Sequence, residues 1–315
     1  KGKFENVEFP AALRSFFYPV YLAAFLWFCS PLLSSGSFDV PSVIFNAPSY
    51  LLKWILISRI LNVLISTLVI YLTYLIGSRT FDRKVGLLAA LMVAVNPTST
   101  AVAGTALAEN SQSLFVAASY FLILQGCSFF AAGLLLGFGY LCRFQTALYA
   151  VPLLLLLRSD RLCLRDFLAG FFVGAVLIGG FLDYLAYGSF LVSPIGILRW
   201  VLVTRQPGHK AVPAEFLWVQ AAFVFGPVLY LSLGNIRKDL RILTLWSPIL
   251  MNLVFFTFVR AKDPRYITDL VPLISVLCAE GVLSNSRRWL VLPLFLWSLV
   301  WYLVLWVYSP RVNLV

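Results

Sequence analysis

The chain has 315 residues, of which 61% are hydrophobic and only 12% are charged, and its mean hydropathy is +0.91. A composition with so few charges excludes a soluble globule and predicts a polytopic membrane protein. The five cysteines show no Cys-x-x-Cys or Cys/His spacing, and the single histidine lies in a polar loop. Neither a disulfide framework nor a metal site is indicated, and no cofactor is expected.

The N-terminal stretch 1–57 is predicted to be an outer loop with juxtamembrane helices that forms part of the catalytic face. Within it, residues 11–33 are apolar but are interrupted by Pro19 and Pro31. These prolines favour an interfacial helix over a membrane span. Because the chain begins with Lys1 in polar sequence, we expect a further segment upstream of it.

Residues 58–315 are predicted to form an all-α membrane helix bundle with about ten spans. The apolar runs are 58–77, 85–106, 109–126, 128–142, 144–157, 166–187, 214–234, 242–259, 266–283 and 289–308. Most are close to the ~20 residues that a spanning helix needs. The two runs that meet at Arg143 are shorter, which suggests tilted or half-buried helices.

Basic residues in short loops indicate the orientation, because Lys and Arg accumulate on the cytoplasmic side. The basic loops are 78–84, 158–165, 235–241 and 284–288. Placing them inside puts residues 1–57, the 107–109 turn, Arg143 and the loops 188–213 and 260–265 outside. These two outer loops break the rule with six cations, which calls for an anionic partner there. These cations are Arg199, Arg205, Lys210, Arg260, Lys262 and Arg265.

The densest charge lies in the stretch 259–273, with the sequence VRAKDPRYITDLVPL. Arg265 presents a planar fork that suits a phosphate, whereas Lys262 presents a compact point charge. Asp263 is suited to orienting a cation or accepting a bond from a sugar hydroxyl. Together with Arg260, these residues are candidates for binding a phosphate that carries a sugar. A rim that binds lipid headgroups is the alternative.

This stretch resembles the His-Lys-Glu-x-Arg-Phe motif, followed by Pro-Leu, of the polyprenyl (dolichyl)-phosphate-mannose-dependent α-mannosyltransferases. That family is a GT-C membrane glycosyltransferase group that includes GPI mannosyltransferases and lipid-linked-oligosaccharide mannosyltransferases. The matching positions are Lys262, Asp263, Arg265, Tyr266, Pro272 and Leu273, and Ala261 stands where the family has His.

Four other segments resemble the same family in the same order. They are FENVEFPAALRSFFYP at 4–19, ENSQS at 109–113, the Gly-rich helix and arginine of GLLLGFGYLCRFQTALYAVPLLL, and FLDYLAYGSFLVSP. The resemblance implies that the residues that position the substrate are Glu5, Arg14, Tyr18, Arg143, Asp183, Asp263 and Tyr266. For Arg143, snorkelling to the headgroups is the alternative. Asp183 and Asp269 are candidates for pairing with the cations, and Asp183 is the preferred one.

The resemblance implies an inverting, metal-independent transfer of mannose from a polyprenyl-phosphate donor at the outer, or lumenal, face. The acceptor would be a glycolipid or a lipid-linked glycan, and membrane lipid but no nucleic acid is an expected partner. The catalytic base is expected in an acidic motif upstream of residue 1, with Glu5, Glu8 and Asp39 as weaker candidates within the chain.

The expected location is a prokaryotic cell membrane, archaeal membranes included, or alternatively the membrane of the endoplasmic reticulum. Two other functions stay open at this stage. One is a polyprenyl-lipid flippase or transporter, for which internal repeats are expected, and no convincing repeat is found. The other is a membrane scaffold without catalytic activity.

Overall fold

The computed structural model describes residues 17–29, 49–105, 107–202, 240–258 and 264–284, and the single positions Pro293, Leu296 and Val300. Side chains are described in 17–29, 55–105, 107–198, 241–258 and 265–284, and at the three single positions. These residues form helices, with no β-strand among them. The expected all-α architecture is therefore found in the part of the chain that the structure describes.

The helices follow one another in chain order with short connections. They are α1 (Phe17–Phe28), α2 (Ser49–Thr80), α3 (Arg83–Val95), α4 (Pro97–Ala103), α5 (Ala108–Leu124), α6 (Phe129–Cys142), α7 (Ala147–Leu157), α8 (Arg161–Tyr187), α9 (Val192–Leu202), α10 (Leu240–Phe258) and α11 (Val271–Ser284). Two 3-10 helices, Phe144–Thr146 and Pro264–Leu270, precede α7 and α11, and α8 contains a π-helical turn at Phe172–Ile178.

Several of these helices are long and apolar enough to cross a membrane, which makes the chain an integral membrane protein. Within the described ranges they are Ile55–Thr80, Arg161–Tyr187, Arg241–Phe258 and Arg265–Ser284, and the bent pair α3–α4 makes a fifth if it counts as one span. The predicted runs 214–234 and 289–308 lie wholly or largely outside the described residues. The count of about ten spans therefore stays a prediction.

The predicted span 85–106 is not a single straight helix, because the chain bends by 61° between α3 and α4. Pro97 has no N–H to continue the helix, and its ring disfavours a helical conformation at the preceding residue. Asn96 is accordingly extended, and its side chain accepts hydrogen bonds from the N–H groups of Thr98 and Ser99. The side chain that ends α3 thus caps the start of α4.

Helices α6 and α8 approach each other closely through two small-xxx-small patterns. Gly133 and Gly137 on α6 lie against Gly170 and Gly174 on α8, and a Cβ atom added at Gly137 would come within 2.8 Å of the Ala175 nitrogen. Small residues allow such backbone contact in membrane bundles, where packing rather than hydrophobicity drives association. The glycine-rich sequence of α6 is therefore used for helix packing.

We expect Gly133→Ala to destabilise the protein strongly, because the new Cβ would collide with the backbone carbonyl of Phe167. Overpacking of this kind typically costs about 1–3 kcal/mol. A thermal-shift measurement in detergent tests this, with Gly104→Ala as the matched control. Gly104 ends α4, is exposed, and has no neighbouring atom closer than 3.9 Å to an added Cβ. Equal melting temperatures for both variants would contradict the packing described above.

Helix α11 lies at the centre of the described bundle. In the helical segment Arg265–Ser284, 83% of the most apolar 18-residue stretch is buried, against 28% of the corresponding stretch in Ile55–Thr80. Helices α2, α3, α5 and α10 pack around it. The 3-10 helix before α11 is thereby held at one end of the bundle, next to the start of α5, and this end carries the polar cluster described below.

Candidate active site

The cluster is built on Glu109, a buried carboxylate in the first turn of α5. Its side chain is only 2% exposed, and its Oε1 accepts a hydrogen bond of 2.6 Å from Nη1 of Arg143. Arg143 lies between the end of α6 and the 3-10 helix that leads into α7. A carboxylate is stabilised here because the start of a helix carries partial positive charge and the guanidinium adds a full one.

Arg265 approaches the same carboxylate oxygen from the 3-10 helix Pro264–Leu270. Its Nη1 lies 3.7 Å from Oε1 of Glu109, an ionic contact that is too long for a hydrogen bond. The side chain of Arg265 is 42% exposed, against 20% for Arg143. Arg265 is thus the more open of the two cations.

The aromatic ring of Tyr266 contacts Arg143 and helps to fix the position of its guanidinium group. The guanidinium carbon of Arg143 lies 5.2 Å from the centre of the Tyr266 ring, within the range of a cation–π contact. The same ring packs on Phe256 of α10, with ring centres 5.1 Å apart. Because Tyr266 follows Arg265 directly, one two-residue segment contacts both partners of the ion pair.

Three ionised side chains meet in this cluster. Arg143 and Arg265 each carry a positive charge, and Glu109 supplies the negative charge that both contact. These three side chains therefore place two positive charges and one buried negative charge next to one another. Two guanidinium groups this close together suit an anionic ligand, since charges in a membrane protein are placed where they find a counter-charge.

Helix α1 lies beside the start of α5. The Tyr21 hydroxyl lies 3.0 Å from that of Ser111, and the amide of Asn62 on α2 donates to the Tyr18 hydroxyl at 3.4 Å. The rings of Phe17 and Phe138 stack with their centres 5.3 Å apart. The N-terminal segment, predicted to join the site, therefore contacts it two residues from Glu109.

A second polar layer lies one turn further along α5. The side-chain amide of Gln112 donates to Asp269 Oδ2 at 2.5 Å, and the amide of Gln145 donates to Gln112 at 3.4 Å. This layer ties α5, the turn after Arg143 and the 3-10 helix before α11 together. In the described ranges, no three His, Cys, Asp or Glu side chains come close enough to share a metal ion.

A family model provides the decisive comparison, because it matches nearly the whole chain, from residue 2 to residue 312. The chain belongs to the Alg9-like mannosyltransferase family. The resemblance to mannosyltransferases inferred from the sequence is thus confirmed, and the enzyme class of this family is the expected one, glycosyltransferases. Comparison with curated proteins gives no match.

Solved structures of ArnT from Cupriavidus metallidurans share the fold. The apo structure has a TM-score of 0.63 at 14% identity, and the structure bound to undecaprenyl phosphate has a TM-score of 0.62 at 15% identity. Both alignments cover 88% of this chain and 51% of ArnT. The chain therefore spans about half the length of ArnT, and the likeness supports the GT-C fold.

The residues predicted from the sequence did not include Glu109, the residue at the centre of the cluster. Asp183, preferred as the partner of the cations, accepts hydrogen bonds from the N–H and hydroxyl of Ser193 at 2.8 and 2.6 Å. Asp269 accepts a hydrogen bond from the amide of Gln112, and Arg143 interacts with it electrostatically. The sequence did contain a signal for Glu109. This residue is the first of the segment ENSQS, which resembles the family, and it lies on the same predicted outer face as Arg143.

The structure thus brings together three of the predicted site residues, Arg143, Arg265 and Tyr266, and places Tyr18 on the adjoining helix. Asp183 is buried near the end of α8, where it accepts hydrogen bonds from Ser193 at the start of α9. The other predicted site residues lie outside the described residues, and their roles stay predictions. They are Glu5, Glu8, Arg14, Asp39, Arg260, Lys262 and Asp263.

Proposed function

We propose that the chain transfers mannose from a polyprenyl-phosphate donor to a lipid-linked or glycan acceptor at the outer face of the membrane. One observation carries this proposal: Arg143 and Arg265 converge on a single buried carboxylate, which places two guanidinium groups next to each other at one end of the bundle. In a mannosyltransferase family, the donor phosphate is the anion that suits such a pair. The undecaprenyl phosphate bound by the structural relative ArnT supports the same ligand class.

The cations act on the leaving group. As the bond from the sugar to the phosphate oxygen breaks, negative charge grows on the polyprenyl phosphate. Arg143 and Arg265, oriented beforehand by Glu109, stabilise that charge without further rearrangement. Two guanidinium groups supply the charge that a metal ion provides in other transferases, so the proposed reaction is metal-independent.

Inversion requires a carboxylate that takes the proton from the acceptor hydroxyl, a contribution worth roughly 10²- to 10⁴-fold in rate. Glu109 is unsuited to this role, because its buried carboxylate is engaged with both cations. We assign Glu109 to positioning. The base is sought among Glu5, Glu8, Asp39 and residues upstream of the chain.

The depth of the cluster suits a donor that enters sideways from the bilayer. Helix α5 has 17 residues and is thus about 25 Å long, with Glu109 in its first turn. The hydrocarbon layer is roughly 30 Å thick. If the far end of α5 lies at the inner surface, the cations lie close to the outer headgroups, where a lipid phosphate resides.

Transfer of labelled mannose from polyprenyl-phosphate-mannose to lipid acceptors tests the proposal, with membranes that contain the full-length protein. We expect labelled product to form at the same rate with and without a divalent-metal chelator. Membranes without the protein serve as the control. Absence of product above that control would reject the enzyme proposal, and product abolished by chelation would reject metal independence.

The sidedness is tested with cysteine labelling. Cys127 is exposed on the turn between α5 and α6, which the charge pattern places inside. Gly104 follows the last residue of α4 and is close to the 107–109 turn, which the charge pattern places outside. In a Cys29→Ser background, a membrane-impermeant maleimide should label Gly104→Cys and spare Cys127, and a permeant maleimide should label both. Labelling of Cys127 alone by the impermeant reagent would invert the orientation.

A further inference from the structure

A cavity of about 60 Å³ lies beside the bend between α3 and α4. Its walls come from the middle of α2, from both sides of the bend, from the first turns of α5 and from the 3-10 helix Pro264–Leu270. Two of these elements, α5 and the 3-10 helix, also carry Glu109 and Arg265. The cavity is thus a neighbour of the cation cluster but shares no residue with it.

Three residues of the cavity wall each hold a buried polar atom without a hydrogen-bond partner in the described ranges. They are Ser66 with its hydroxyl oxygen, Asn110 with its amide nitrogen and Thr268 with its hydroxyl oxygen. Asn110 and Thr268 are each only 3% exposed. Buried polar groups are nearly always satisfied, because leaving one unpaired costs stability. Three such atoms around one cavity indicate that an occupant supplies their partners.

The cavity wall defines the chemistry of this occupant. Among the described residues, no charged side chain lines the cavity, which favours a neutral occupant. Hydroxyl and amide groups alternate with aliphatic side chains such as Val69 and Ile70, a combination that suits the hydroxyl and C–H groups of a sugar. An engineered cavity of roughly 150 Å³ holds a benzene molecule. The space of about 60 Å³ therefore admits one edge of a sugar ring with its hydroxyls.

The cavity lies next to the residues proposed to bind the donor phosphate, which indicates the donor's sugar as its occupant. Asn110 follows Glu109 directly, and Thr268 lies one 3-10 turn, about 6 Å, beyond Arg265. In a polyprenyl-phosphate sugar, the ring begins one bond away from a phosphate oxygen. We infer that the cavity is the subsite that binds hydroxyl groups of the donor's sugar while the cations bind its phosphate. This inference rests on the proposed function.

Equilibrium binding of two lipids to the full-length protein in detergent tests the subsite without any acceptor. The lipids are polyprenyl-phosphate-mannose and polyprenyl phosphate, which differ in the sugar and in the charge of the phosphate, so each variant is compared with the wild type for the same lipid. Removing one neutral hydrogen bond should weaken binding roughly 2- to 10-fold. Thr268→Val and Ser66→Ala should each show this loss for the mannosyl lipid and no change for polyprenyl phosphate. Arg265→Ala should weaken binding of both lipids.

Thr67→Val is the matched control, because Thr67 is exposed on α2 next to Ser66 and donates to the Val63 carbonyl at 2.9 Å. It should bind both lipids as the wild type does. Without lipid, Thr268→Val and Ser66→Ala should melt no lower than the wild type, since each removes an unpaired buried hydroxyl. A structural role would instead lower the melting temperature.

Each result separates the two proposals. Unchanged affinity of Thr268→Val and Ser66→Ala for the mannosyl lipid would overturn the subsite and leave the proposed function intact, with water as the occupant. An equal loss for both lipids would also overturn it, because the side chains would then act on the phosphate or the fold. A wild-type protein that binds neither lipid would overturn both proposals.

Discussion

Replacing Glu109 with glutamine should reduce mannose transfer by roughly 100-fold. Glutamine keeps the size of the side chain but removes the charge that Arg143 contacts at 2.6 Å and Arg265 at 3.7 Å. A hydrogen bond to a charged group is worth about 1.5–3 kcal/mol, or roughly 10- to 150-fold in rate. The two cations would also repel each other without their common partner. The measurement is the initial rate with polyprenyl-phosphate-mannose, per amount of folded protein.

The chain provides a matched control in Asp166, which contacts Arg165 at 2.9 Å on the surface. Both of these side chains are largely exposed, and surface ion pairs contribute little. Asp166→Asn should therefore transfer mannose at the wild-type rate and melt at the wild-type temperature. Glu109→Gln should melt lower, because it leaves a half-shielded arginine unpaired. Equal rates for the two variants would show that Glu109 does not organise the site.

The helices in the described part of the chain were predictable because a lipid bilayer allows few backbone structures other than helices. A run of apolar residues in lipid must satisfy its backbone internally, so hydropathy places the helices well. The predicted runs 109–126, 128–142 and 144–157 correspond to α5, α6 and α7 with its preceding 3-10 turn. The bend at Asn96 was missed because hydropathy ignores backbone geometry, although Asn-Pro is a local signal for it.

The site was predictable only in part. The pattern of charges along the chain indicates which side of the membrane a residue lies on, but not which charged side chains form ion pairs. The topology argument placed Arg143 and Arg265 on one side of the membrane, and the structure brings them to one carboxylate. The partner of Arg143 is 34 positions away in the sequence. Which acid reaches it depends on how α5 and α6 pack against each other, and a pattern of charges along the chain does not contain that information.

The interrupted helix α3–α4 bears on the transporter alternative, since broken helices near the membrane centre are common in transporters. In this chain the break is explained locally by Pro97 and by the cap from Asn96. It opens onto a neutral cavity, and the charges lie beside it at the start of α5 and of the 3-10 helix. Binding assays cannot separate a flippase from an enzyme, but formation of a mannosylated product can.

Arg265→Ala should lower catalytic efficiency toward polyprenyl-phosphate-mannose by roughly 10- to 150-fold, the range expected when one charge-assisted hydrogen bond is lost. Its side chain is 42% exposed and contacts Glu109 only at ionic distance, so we expect it to turn towards the donor phosphate. Arg265→Lys should recover part of the loss, because the charge remains but the planar fork does not.

Arg143 provides the internal comparison for this last prediction. It is less exposed, bonds Glu109 directly and stacks on Tyr266, so Arg143→Ala should lower both the rate and the melting temperature. Arg265→Ala should lower the rate with little change in melting temperature, since the pair it leaves behind, Arg143 with Glu109, remains intact. If Arg265→Ala transfers mannose at the wild-type rate with unchanged donor dependence, Arg265 does not bind the phosphate. It would then belong to a rim that binds lipid headgroups.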